Sequence, residues 1–186
     1  MRRLAIVHGH QGRVGQAFAS RLVEDGFEVV TGEAIARLEW PMMDARAYLF
    51  DCAYQHEDPA GHVERAVRHL AEWRRLAGIF IPSSLHIGTD TAYGRAKLVI
   101  EQLVAFYRGE GANVVTDRIG YFPGDGVAGD ANNPFYHKLV TGDALYTRVM
   151  ARLLDEPLPR GRNQPLTAGA AYANREDPAA TAVTHG

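Results

Sequence analysis

The chain has 186 residues, a formal charge of −2 at pH 7 and 46% hydrophobic residues, enough for one substantial core and too little for two ordinary domains. Its basic residues are scattered, which leaves no electrostatic footprint for nucleic acid. The single cysteine, Cys52, excludes an intramolecular disulfide and suits a reducing compartment. Met1–Val7 is too short for a signal sequence and no later stretch approaches a membrane span, so a cytoplasmic protein with no membrane partner is expected.

Leu4–Val7 is an apolar run of the kind that forms a buried parallel strand, and Val14, Phe18 and Leu22 then recur every fourth residue as one helix face. Between them lie three glycines, Gly9, Gly12 and Gly15, at a spacing of three. In a strand-loop-helix unit the first allows the tight turn, the second lets the backbone approach a pyrophosphate and the third lets the helix pack closely. The helix N-terminus favours the phosphates. A G-x-x-G-x-x-G pattern alone is weak, and its place after a strand and before a helix strengthens it.

Gly26 closes the first helix and Phe27–Thr31 reads as a second strand. Glu33 follows, where dinucleotide-binding units place the acid that holds the ribose hydroxyls; a solvated loop carboxylate is the alternative. From Ala34 to Ala45 a full helix and a third strand barely fit, and Pro41 interrupts any helix there. Ala47–Ala53 is the next buried strand, with its end beside the cofactor. Asp51 there is either a ligand group or a loop cap.

Pro59–Ala77 reads as a helix capped near Asp58, with Val63, Val67, Leu70 and Trp73 as its buried stripe. His62 and His69, seven apart without a third ligand, are expected on the surface rather than at a metal, and no metal motif is present. Gly78–Pro82 is a further strand delivering Ser83 and Ser84. Asp90 or Thr91 caps a long helix reaching about Arg108, with Tyr93 and Lys97 four residues apart on one face. Ala112–Ile119 makes one more strand, Tyr121–Gly129 a turn-rich loop and Asp143–Leu154 a helix. Residues 1–156 are expected to form one domain and 157–186 an extended or disordered tail. Strands alternating with helices predict an α/β, doubly wound parallel sheet of Rossmann type with its ligand at the strand C-termini.

A tyrosine is a poor acid-base near neutrality, and a neighbouring ammonium brings it into range. Ser83 or Ser84 can hold a substrate oxygen while Tyr93 moves the proton. The glycine loop Gly9–Gly15 (GHQGRVG) together with Tyr93-Gly94-Arg95-Ala96-Lys97 resembles the short-chain dehydrogenase/reductase superfamily. The likeness is to its extended branch of epimerases and dehydratases, and the loop is similar to those of GDP-fucose synthases and dTDP-4-dehydrorhamnose reductases. It covers residues 3–124.

The resemblance implies a catalytic set of Tyr93 as general acid/base, Lys97 as its partner and holder of the nicotinamide ribose, and Ser84 as the substrate-orienting hydroxyl. It places NAD(H) or NADP(H), with a lean to NAD(H), on Gly9, Gln11, Gly12, Arg13, Val14, Gly15, Glu33, Cys52, Ala53 and Lys97. A homodimer is the assembly suggested by analogy.

Three features depart from the family pattern. Leu85–Ala92 is shorter than the usual stretch between serine and tyrosine. Leu85 and His86 stand where dehydratases carry an acidic pair. A separate substrate domain is almost absent. The expected function is therefore a nicotinamide-dependent reductase or epimerase acting on a small substrate, and the alternative is a dinucleotide-binding protein of the same fold without redox turnover.

Overall fold

Alternate residues of two strands face opposite layers. In β1 (Arg2–His8), Ala5 and Val7 enter one core while Leu4 and Ile6 enter another, and in β3 (Ala45–Asp51) Tyr48 and Phe50 are divided from Ala47 and Leu49 in the same way. This is the two-faced burial of a parallel sheet covered on both sides. The structure, a computed structural model, describes residues 2–38, 45–54, 57–122 and 140–155.

The main sheet runs β2 (Glu28–Thr31), β1, β3, β4 (Gly78–Phe80), β6 (Val114–Val115), every pair parallel. Strand order reverses about β1, which places a crevice over the C-terminal ends of β1 and β3. Helices α1 (Arg13–Glu24) and α4 (Gly142–Asp155) cover one face through Phe18, Leu22, Tyr146 and Val149; α2 (Pro59–Trp73) and α3 (Ala92–Gly109) cover the other through Ala66, Leu70, Ile100 and Val104. The doubly wound α/β fold expected from the sequence is present. After β2 the chain makes a 3₁₀ turn over Gly32–Arg37 and next enters the described sheet as β3, so among the described residues no third strand lies outside β2. No described helix is long and apolar enough to cross a membrane. The expected tail from residue 157 lies outside the described residues.

Several local expectations are corrected. The segment from Ala112 to Ile119 forms two short strands, β6 and β7 (Arg118–Ile119), the second pairing with β5 (Ser83–Ser84) in its own small sheet. The ladder nevertheless continues across the break, with Ile81, Ser83 and Leu85 donating to the carbonyls of Val115, Asp117 and Ile119. Helix α2 stops at Trp73. Val67 is 41% exposed, while His62 and His69, placed on the surface by their polarity, are 2% and 4% exposed. The inward face of α2 is polar at those two positions because it packs on the charged end of β3, described next.

Candidate active site

Gly9, at φ +71, turns the chain out of β1, and a side chain there would overlap the backbone of Cys52 and Ala53 at the end of β3. A Cβ on Gly15 would overlap the Gly9 carbonyl, so α1 can approach the loop only with glycine at that position. Gly12 differs. Its Cβ would meet only the Gly9 oxygen, at 3.4 Å, and as the N-cap of α1 it provides no side-chain cap. Two glycines therefore serve the packing of the loop, and the middle one keeps its outer face clear over the uncapped amides of α1. Gln11 and Arg13 are exposed beside it, and Val14 is half-buried at the pocket wall.

A cavity of about 390 Å³ opens next to this loop, with Val14, Cys52, Ser84, Tyr93 and Lys97 in its wall, within the size range of small-molecule sites. The end of the β4–β5 segment delivers Ser83 and Ser84 in opposite senses. Ser83, which also lines the pocket, donates to Glu101 Oε1 at 2.7 Å, and Glu101 receives a bidentate pair from Arg118 at 2.8 Å, so the Ser83 hydroxyl proton is committed to Glu101. Ser84 accepts the His86 backbone N–H at 3.2 Å and lies beside Tyr93, whose phenol pKa it lowers.

The short Leu85–Ala92 connection makes this contact by winding tightly. Ile87 N–H donates to Ser84 O, Thr89 N–H and Oγ1 donate to His86 O, and Gly88 takes φ +93. Thr91 then caps α3 by accepting from Gly94 N at 3.0 Å. A Cβ on Gly94 would lie 2.6 Å from Thr89 Oγ1 and 2.7 Å from His86 O, so the glycine inside the Y-x-x-x-K stretch is what lets the helix start against the turn.

Lys97 is 2% exposed. Its Nζ donates to Pro82 O at 2.8 Å, lies 3.0 Å from His62 Nε2, and stands 5.3 and 5.7 Å from the ring centroids of Tyr54 and Tyr93. The ammonium thus faces the ring of Tyr93. Burial lowers the Lys97 pKa to about 8, with Asp51 opposing and Arg65 adding to the fall. Burial raises the Tyr93 phenol above its ordinary value, which the Ser84 hydrogen bond only partly offsets. The phenol is thus held in its neutral form.

Behind Lys97 lies a polar network not read from the sequence. Asp51, wholly buried at the end of β3, receives Arg65 Nε at 3.3 Å and lies 3.3 Å from His69 Nδ1; its carboxyl is lowered because these partners outweigh burial. Asp51 also accepts from Ala53 N at 3.3 Å. It is thus a buried ion-pair acid that caps its own turn, and its partners come from α2 and not from a ligand. Arg65 extends to Ala53 O, and the ring of His8 lies tilted against that of His69 with centroids 4.6 Å apart. No group of three side chains fit to hold a metal occurs among the described residues. Cys52 is buried, which raises its thiol well above the ordinary range and makes it part of the wall. Glu33 stands in the turn after β2 with its side chain 95% exposed, 3.9 Å from Arg37. Sequence reasoning also missed Tyr54 and the pair His86 and Tyr121, whose polar atoms lie 3.3 Å apart at the pocket rim. Only their position after β3 and after Ser84 marked them.

The arrangement defines a Rossmann-like crevice with a proton-donating phenol, a hydroxyl and a buried amine at its edge. No protein-family model and no curated protein matches the sequence. Solved structures match the fold. The UDP-N-acetylglucosamine 4-epimerase of Bacillus cereus superposes with a TM-score of 0.58 at 14% identity, covering 86% of this chain and 76% of that one. An NAD-dependent NDP-hexosamine 5,6-dehydratase of tunicamycin biosynthesis gives 0.60 at 16%, covering 86% and 74%. A short-chain dehydrogenase/reductase superfamily protein of Agrobacterium tumefaciens, solved with bound NAD, gives 0.53 at 19%, covering 72% of this chain and 54% of that one, so the match spans about half of that protein. The chain has the fold of these proteins.

Proposed function

We propose that this protein is a nicotinamide-dependent oxidoreductase or epimerase acting on a carbonyl or hydroxyl group of a small substrate. Tyr93 is the general acid/base, Ser84 orients the substrate oxygen, and Lys97 seats the nicotinamide ribose. The observation that carries this reading is that Ser84, Tyr93 and Lys97 line the wall of one pocket, which Val14 of the glycine-loop helix also lines. The loop fits a pyrophosphate: Gly12 leaves its backbone open, α1 has no side-chain cap, and Gly9 and Gly15 make the approach close.

A nicotinamide bound there supplies or accepts the hydride. Within this chain, Ser84 gives the substrate oxygen a fixed hydrogen-bond partner while Tyr93 donates the proton that a reduced carbonyl oxygen takes up. The raised pKa of Tyr93 favours that direction, since a neutral phenol is ready to give a proton and not to remove one. The NAD-dependent fold neighbours support the cofactor class.

The alternative, a dinucleotide-binding protein without redox turnover, draws support from Lys97, whose ammonium is engaged by Pro82 and His62 and faces the Tyr93 ring. Titration with reduced dinucleotides, followed by a screen against small ketones and quinones, tests both. Tyr93→Phe is expected to lower turnover by about 10²- to 10⁴-fold with cofactor affinity unchanged. A chain that binds dinucleotide but turns over nothing that Tyr93→Phe abolishes is a binding protein.

A further inference from the structure

Four rings meet in the wall of the pocket, and each comes from a different segment of the chain. Tyr54 follows β3, His86 lies in the turn after β5, Tyr93 stands in the first turn of α3 and Tyr121 follows β7. They form a row: the ring centroids are 5.0 Å apart for Tyr54 and Tyr93, 6.0 Å for Tyr93 and His86, and 5.8 Å for His86 and Tyr121. These are the spacings of aromatic pairs in contact. Tyr93 stands inside the row and not at its end, so a substrate in contact with it has ring neighbours in both directions. Phe122 adds a further ring to the same wall.

The rest of the wall narrows the chemistry. Among the described residues that line the cavity there is no Asp, Glu, Asn, Gln or Arg; the polar side chains are hydroxyls, the His86 imidazole and the Lys97 amine. A polyhydroxylated substrate such as a sugar is gripped by carboxylates and amides, which pair with several hydroxyls at once, and a phosphate is gripped by guanidinium groups. A flat ring bearing one carbonyl needs neither, since other rings pack against it and a single donor serves its oxygen. The cavity, at about 390 Å³, is near the lower end for small-molecule sites and has to admit the nicotinamide as well. We propose that the substrate is a small aromatic carbonyl compound, an aryl aldehyde or aryl ketone, held by the row Tyr54, Tyr93, His86 and Tyr121 with its oxygen at Tyr93 and Ser84. The proposal rests on the oxidoreductase reading above and gives its substrate class. Reduction adds a hydride to the carbonyl carbon and the Tyr93 proton to the oxygen, giving a benzylic alcohol and oxidised dinucleotide, and solvent returns the proton to Tyr93.

Acetophenone and cyclohexyl methyl ketone test this, because they carry the same carbonyl on an aromatic and on a saturated ring. In calorimetry with NAD+ at saturation, where no hydride is available, acetophenone should bind about tenfold more tightly. Tyr54→Leu and Tyr121→Leu, each of which removes a ring and keeps apolar bulk, should each narrow that preference by about threefold. The two variants lie on separate segments, so one serves if the other does not fold.

Equal or tighter binding of the saturated ketone overturns the proposal, and is the result expected of rings that serve only the nicotinamide. Binding of neither ketone overturns it too, as does tighter binding of UDP-glucose than of either, or a preference that survives both leucine substitutions in folded protein. The oxidoreductase reading fails separately: acetophenone bound with the expected preference but not reduced by NADH leaves the substrate class of the pocket standing and removes the turnover. If the chain binds no dinucleotide, the cofactor reading has failed and the same pair of ketones, compared on the free protein, decides.

Discussion

Gly15 and Gly9 touch backbone to backbone: the carbonyl oxygen of Gly9 occupies the space in which any side chain on Gly15 would begin. Gly12, midway between them, is bounded by the same oxygen at an ordinary 3.4 Å. Three glycines at equal spacing thus carry two different demands. Gly15→Val should destabilise the fold by several kcal/mol through overlap that the backbone cannot relieve. Gly12→Val should fold as the unmutated chain does and lose dinucleotide binding, because the added side chain projects over the phosphate face. Paired denaturation and calorimetry decide. Equal binding by folded Gly12→Val would remove the loop from the cofactor site.

Glu33 sets the expected cofactor preference. Its carboxylate is exposed in the turn after β2 and makes a long contact to Arg37, so it can accept from a ribose diol and repel a 2′-phosphate. NADH should bind more tightly than NADPH, and Glu33→Ser should narrow the gap by about tenfold, or about 1.4 kcal/mol. Tighter NADPH binding by the unmutated chain would show that Arg13 or Arg37 governs the adenosine end.

Stability should decline in two stages as pH falls. His62 is lowered from 6.5 to about 4 and His8 is also lowered, each chiefly by burial. Between those values the unfolded chain takes up protons that the folded chain refuses, so acid favours unfolding, with a slope of about 1.4 kcal/mol per pH unit for each group. Asp51 is shifted below its ordinary 3.8; its contribution is complete above that value and is lost as pH drops through it toward the folded value. Denaturant melts at pH 7, 5.5 and 4.5 should show the first stage, and His62→Gln should make its slope shallower. A midpoint independent of pH over that range would contradict the assigned neutrality of His62.

The sheet, its flanking helices and the meeting of Tyr93, Lys97 and Ser84 at one pocket wall were legible because each depends on a local pattern: period four in Val14, Phe18 and Leu22, a serine pair after an apolar run, and a four-residue step on one helix. Glu101 distinguishes the two serines by binding the hydroxyl of Ser83. What was not legible depends on pairing between distant elements. His62 and His69 carry the polarity of a surface face, and only the arrival of Asp51 from β3 beside His69 and of Lys97 from α3 beside His62 gives them polar surroundings inside. The same blindness applies to Val67, apolar yet exposed, and to the break between β6 and β7, where Arg152 and Arg148 from α4 engage Thr116 O and Asp117.

Glu101 joins a strand end to a helix: it holds Ser83 on β5 and Arg118 on β7 while belonging to α3, which bears Tyr93 and Lys97. A segment cannot detach from such a junction alone. The amides of Ser83 and Leu85, bonded to Asp117 O and Ile119 O, should therefore exchange with solvent in one opening event together with the first turns of α3, and the pocket edge behaves as a single cooperative unit whose slowest protons measure how firmly the serine faces the tyrosine.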